Sequence, residues 1–139
     1  MTTHQEIQEL KTYFEGAKGT GVLATSGEGG EVNAAVFARP HVLDGGEVGF
    51  VMPERLTYRN LSQNPHAAYL FVEDRPAGSE PRWTGVRLAL RKVGEELDTE
   101  RVKTLRRRTY ADDQPGHFLV RFSVERVRPL VGDGAKQGE

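Results

Sequence analysis

Between residues 32 and 39 the chain alternates strictly. Val32, Ala34, Val36 and Ala38 take one side of an extended strand, and Asn33, Ala35, Phe37 and Arg39 the other. Gly27-Glu28-Gly29-Gly30 precedes this stretch and Asp44-Gly45-Gly46 follows it, and both are turn signals. Residues 21–26 and 48–52 read as two further strands, the second ended by Pro53. The links are too short for parallel crossovers, so these three strands are expected as an antiparallel meander.

Three more strands follow by the same reasoning. Residues 66–73 form a strongly apolar run. Residues 83–93 set Val86, Leu88 and Leu90 against Arg87, Ala89 and Arg91. Residues 117–127 put Phe118, Val120, Phe122 and Val124 on one face. Residues 74–82 carry Pro76, Gly78 and Pro81 and read as a loop.

Helices punctuate this pattern. Thr3-His4-Gln5-Glu6 has the form of a capping box, and Ile7, Leu10, Phe14 and Ala17 then share a helical face. A short helix is expected over residues 57–64, stopped by Asn64-Pro65. Asp98 is expected to cap a third helix reaching about Arg108, with Arg106, Arg107 and Arg108 at its negative end. Residues 110–116 read as a loop. The expected fold is mostly β: six antiparallel strands with flanking helices. Closing them into a barrel hides their edges. With 139 residues and no internal linker, one domain over residues 1–132 is expected, followed by a polar tail over 133–139.

Charge and composition remove several functions. The formal net charge is -1, which gives no overall attraction to nucleic acid or acidic membrane. Mean hydropathy is -0.56, and no apolar run is long enough to span a bilayer. No signal peptide is read at the N-terminus, so a cytoplasmic protein is expected by default. With no cysteine, disulfides and thiolate chemistry are excluded. His4, His41, His66 and His117 form no ligand pair at i, i+2 or i, i+4, so no metal site is expected. No Gly-x-Ser-x-Gly motif appears, and the glycine-rich turns open no helix, so neither a hydrolase nor a dinucleotide fold is supported.

The segment after Pro53 carries the chemistry. Arg55 and Arg59 are four residues apart and share a face of a helical turn, with Thr57 between them at a helix start. Guanidiniums, a hydroxyl and free amides at a helix N-terminus together suit a phosphate. Arginine fits this better than lysine, because its planar fork binds two oxygens. A solvated surface turn with ordinary charges is the alternative that the spacing leaves open.

The wider succession is a hairpin over residues 36–52, then Arg55-Leu56-Thr57-Tyr58-Arg59-Asn60, then Asn64-Pro65 and an apolar strand. It resembles the FMN-binding split-barrel family that includes pyridoxamine 5′-phosphate oxidase and small flavin-binding proteins. The match runs over about residues 21–73. The resemblance implies a split β-barrel and a homodimer with the flavin near the subunit interface. It assigns Arg55, Thr57 and Tyr58 to the FMN phosphate, with Arg59 as an addition. It sets Phe37, Ala38 and Arg39 against the ring and ribityl chain, and Val51 and Met52 along the pocket. Many relatives carry a lysine or arginine where this chain has Leu56, so either Arg55 or Arg59 is expected to supply that charge or the phosphate is held more loosely. A cation such as Arg39 near the ring would favour flavin reduction. Trp83 or one of Arg106, Arg107 and Arg108 is the expected contribution of a partner subunit.

Three functions follow as expectations. The first is a homodimeric FMN oxidoreductase acting on a small molecule, though not a true pyridoxamine phosphate oxidase, because no substrate-binding segment is read after Val127. The second is a non-enzymatic flavin or electron carrier. The third is a flavin-free binding barrel. The deazaflavin F420 is an alternative cofactor, since its phosphate suits the same segment.

Overall fold

The computed structural model describes residues 2–105 and 116–132. Its elements run α1 (His4–Gly16), β1 (Gly19–Ser26), β2 (Val32–Val36), β3 (His41–Val42), a 3-10 turn (Asp44–Gly46), β4 (Glu47–Pro53) and α2 (Leu56–Gln63). Then come β5 (His66–Glu73), β6 (Gly85–Leu97), α3 (Glu100–Leu105) and β7 (His117–Pro129). All the strands belong to one antiparallel sheet, in the order β2-β1-β5-β6-β7-β4-β3. The mostly β architecture with flanking helices is the one expected.

The sequence and the structure differ in four places. The sheet has seven strands among the described residues rather than six, because the stretch read as 32–39 stops at Val36 and a two-residue β3 follows Pro40. Proline has no amide to give a ladder, so the chain leaves the sheet there and re-enters it. The three-strand meander is also corrected. β1 pairs with β2 and β5, while β4 pairs with β3 and β7. The local links permitted a meander, but long-range burial decided the order. Trp83 lies outside β6, which starts at Gly85 and runs on to Leu97.

The fourth difference is the cap of α3. Asp98 has a left-handed backbone (φ 50), and its carboxylate accepts from the amides of Gly116 and His117. Thr99 caps instead, its hydroxyl accepting from the Val102 amide at 3.2 Å. Residues 106–115 and 133–139, including Arg106, Arg107 and Arg108, the latter part of the expected helix, most of the 110–116 loop and the tail, lie outside the described residues.

At α1 the capping box forms as expected. The Glu6 amide donates to the Thr3 hydroxyl at 3.1 Å and the Thr3 amide donates to Glu6 at 2.8 Å. The Thr3 amide and hydroxyl together hold the Glu6 carboxyl below the usual range. Ile7, Leu10 and Phe14 then enter the core. There they meet a cluster of rings. Phe14 lies 5.6 Å from Phe71, and Phe50 lies 4.9 Å from Tyr69 and 5.9 Å from Phe122. Aromatic rings bury large areas, and edge-to-face pairing adds to that. Tyr13 donates to Glu73, and burial followed by this carboxylate pushes the phenol well up.

The sheet curls so that its two ends approach without pairing. Phe37, just past β2, packs edge-on against Phe50 of β4 at 5.8 Å. Asn33 of β2 reaches Thr57 of α2. That unpaired seam is the split of the barrel.

One outer face is unusually apolar. Registered across β2, β1 and β5 are Val36, Val22 and Leu70; beside them run Ala34, Ala24, Ala68 and Ala89. Val32, Val36 and Leu70 are 82%, 75% and 36% exposed. Isolated exposed apolar residues are ordinary; here several fall in register on adjacent strands.

Candidate functional site

A cleft of about 840 Å³ runs along the split. β1 contributes Gly19, Thr20 and Gly21, and β2 contributes Asn33, Ala35 and Val36. Across the gap lie Phe50, Val51, Met52 and Pro53 of β4 and the start of α2.

The segment Phe37-Ala38-Arg39 is held in place from three sides. The Phe37 amide donates to Gly21 at 3.0 Å, and its carbonyl accepts from the buried Tyr69 hydroxyl at 3.1 Å. The Arg39 guanidinium donates to the Ala17 carbonyl at 2.7 Å, which ties the cleft wall to the end of α1. Gly21 is required by this close approach. A Cβ there would fall on the Tyr69 hydroxyl and lie 2.5 Å from the Phe37 carbonyl oxygen.

At the other end of the cleft, α2 begins without a side-chain cap. Arg55 occupies the N-cap in an extended conformation, and the first turn holds no acidic residue. Arg55, Leu56 and Thr57 line the cleft. Thr57 is buried and its hydroxyl accepts from Asn33 at 3.4 Å. An open helix N-terminus carries partial positive charge, and the guanidinium and hydroxyl add to it.

The electrostatics are one-sided. Among the described residues, the ionisable side chains of the lining are Arg39, His41, Arg55 and His117, and none is a carboxylate. The arrangement suits an elongated ligand with an apolar body and an anionic end.

Eight of the ten residues expected at the site line the cleft: Phe37, Ala38, Arg39, Val51, Met52, Arg55, Leu56 and Thr57. Tyr58 and Arg59 are not part of that lining. The Tyr58 ring stacks on Phe118 at 4.1 Å and its hydroxyl donates to Glu95 at 2.6 Å. That hydrogen bond, with burial second, pushes the Tyr58 phenol up to about 12. Burial works against ionisation of Glu95, but Lys92 and Tyr58 outweigh it and hold the carboxyl below its ordinary value. Arg59 is exposed on the surface of α2. Trp83 lies outside the lining, stacked under Arg82 at 4.6 Å. Leu56, 51% exposed, adds apolar surface to the lining beside Arg55.

Sequence reasoning passed over Gly19, Thr20, Gly21, Asn33, His41, Leu105 and His117. The pair Gly19 and Gly21 at a strand start was the available signal, since glycine inside a strand marks close backbone approach. His117 carried none, because only the pairing of Pro53 with His117 brings it to the cleft. Among the described residues no group of three or more potential ligands stands together, and no helix is long and apolar enough to cross a membrane.

No family model matches the sequence. No curated protein matches it either. Solved structures do match over nearly the whole chain. An FMN-binding protein from Syntrophomonas wolfei subsp. wolfei superposes with a TM-score of 0.73 at 19% identity, covering 91% of this chain and 88% of that one. A putative pyridoxamine 5′-phosphate oxidase from Lactobacillus delbrueckii gives 0.58 at 20% identity, covering 91% and 92%. HutZ, the heme storage protein from Vibrio cholerae, gives 0.59 at 18% identity, covering 91% and 94%. The chain has the split-barrel fold of these proteins. At such identities the likeness establishes the fold alone.

Proposed function

We propose that this chain is an FMN-binding flavoprotein of the pyridoxamine 5′-phosphate oxidase-like type, working as a homodimeric oxidoreductase on a small molecule. The observation that carries the reading is the convergence of the open N-terminus of α2, Arg55 and Thr57 at one end of a cleft whose described lining holds no carboxylate. Bound FMN supplies hydride or electron transfer. The chain's own residues bind and orient it. Arg55 and Thr57 hold the phosphate, and Phe37, Val51 and Met52 enclose the ring. Arg39, pinned by Ala17, keeps positive charge near it. No acid–base pair is needed for such chemistry.

The dimer rests on the apolar panel around Val36, Leu70 and Ala34. Val36 belongs both to that panel and to the cleft rim, so a second copy seated there would also close the site. Introducing Val36→Glu with Leu70→Glu is expected to turn a dimer into a monomer in sedimentation and to lower FMN affinity with it. A wild-type monomer that binds FMN tightly would remove the dimer from the reading.

Turnover separates the enzyme from a flavin carrier. Oxidation of NADH or NADPH in air by the FMN-loaded protein is expected of the enzyme; inertness towards both donors counts for the carrier. A second reading, a heme-binding protein, has its own support: His41 and His117 both line the cleft, and HutZ shares the fold. Mass spectrometry of the ligand released from the purified protein distinguishes FMN, F420 and heme.

A further inference from the structure

Helix α2 is held from two sides. Thr57, Asn60 and Leu61 form its buried face. Towards β1 and β2 the contacts are polar. The Asn60 side-chain amide donates to the Thr25 hydroxyl of β1 at 3.1 Å, and both residues are buried. Asn33 of β2 donates to the Thr57 hydroxyl at 3.4 Å. The Gln63 side-chain oxygen accepts at 2.8 Å from the amide of Glu28, in the turn between those strands. Towards β6 and β7 the contact is made by Tyr58. Its ring stacks on Phe118 of β7, with centroids 4.1 Å apart and planes 20° from parallel. Its hydroxyl donates to Glu95 of β6 at 2.6 Å. Lys92 completes the group, meeting Glu95 at 2.6 Å and lying 5.4 Å from the Tyr58 ring centroid.

These contacts reach both sides of the split. β1 and β2 form one side; on the other, β7 carries β4. α2 therefore straddles the gap, and the residue after Thr57 ties it to the far side. Its first turn has no side-chain cap to steady it. Free amides at a helix N-terminus serve a ligand only where the orientation of that turn is fixed.

We propose that Tyr58 is a positioning residue for the phosphate end of the cleft: its ring, seated on Phe118, locks α2 across the split so that Arg55, Thr57 and the free amides of the first turn converge on one anion. The inference rests on the cleft being a flavin phosphate site. It gives Tyr58 a role other than touching the phosphate, because its hydroxyl is engaged by Glu95 and the residue lies outside the cleft lining. Thr57, Asn60 and Gln63 follow at intervals of three, along one side of the helix. Without the Tyr58 ring, the first turn can rock about that side. The ring outweighs the hydroxyl. The bond to Glu95 lies at the surface, where water replaces it at small cost. Stacking on Phe118 removes apolar area from water and favours one geometry.

The test measures the affinity of FMN and of riboflavin for the wild type, Tyr58→Phe and Tyr58→Leu, well below each protein's thermal midpoint. Tyr58→Phe keeps the stack and is expected to bind FMN within about threefold of wild type. Tyr58→Leu loses it and is expected to bind FMN roughly tenfold more weakly, with riboflavin, which has no phosphate, within about threefold. A comparable FMN loss in Tyr58→Phe would make the hydroxyl a phosphate ligand and overturn the inference. Unchanged FMN binding in Tyr58→Leu overturns it too, as does an equal loss of both flavins, which would make Tyr58 ordinary packing. All three results leave the flavin site standing. A wild type that binds neither flavin, or riboflavin as tightly as FMN, overturns the phosphate site as well. If Tyr58→Leu fails to fold, Tyr58→Met replaces it with the same expected ratios, since methionine fills the space beside Phe118 without a flat ring.

Discussion

Replacing Arg55 and Thr57 together by alanine is expected to weaken FMN binding roughly 100-fold and to leave riboflavin within about threefold. The two side chains differ in what they add. Thr57 is 6% exposed, so its hydroxyl meets a ligand without competition from water. Arg55 is exposed, and solvent screening reduces its share below that of a buried guanidinium. The open N-terminus of α2 remains in the variant, which is why binding is weakened rather than abolished. Thr57→Ser keeps the hydroxyl, and with it both the ligand contact and the Asn33 hydrogen bond, so it should stay close to wild type. Equal losses for FMN and riboflavin would mean that these residues maintain the cleft and do not read the phosphate.

The second large effect is on stability. Phe71→Ala is expected to cost about 3–5 kcal/mol, lowering the thermal midpoint by about 10–15 °C. Phe71 is fully buried, and its ring meets Phe14 at 5.6 Å and Tyr13 at 6.2 Å. Its removal leaves a cavity under α1, and the helix loses the surface on which its apolar face docks. Such a loss is a large fraction of an ordinary domain's stability. Phe71 is outside the cleft lining, so FMN affinity of the folded fraction should change little. A midpoint within a few degrees of wild type would show that α1 contributes little to the fold.

The parts legible in the sequence are those fixed by neighbours in the chain. The capping box of α1 rests on Thr3 and Glu6 alone, and it formed as read. β5 has the bounds that its apolar run and Asn64-Pro65 dictate. Arg55, Leu56 and Thr57 fall within one helical turn, so their convergence was visible in spacing. What escaped depends on distant pairing. Nothing near Val48–Met52 reveals that this strand joins residues 118–122 rather than β2. His117 and Leu105 reach the cleft only through that pairing. Asp98 misled because aspartate suits both a helix cap and a left-handed turn; the amides of Gly116 and His117, far along the chain, decided between them. Tyr58 looked equivalent to Thr57 by sequence, but its ring found Phe118.

The most direct measurement is the absorbance spectrum of the purified protein, followed by mass spectrometry of whatever it releases on denaturation. A yellow protein that releases FMN is the predicted result. A colourless protein that takes up no added FMN, or one that releases heme, would contradict it.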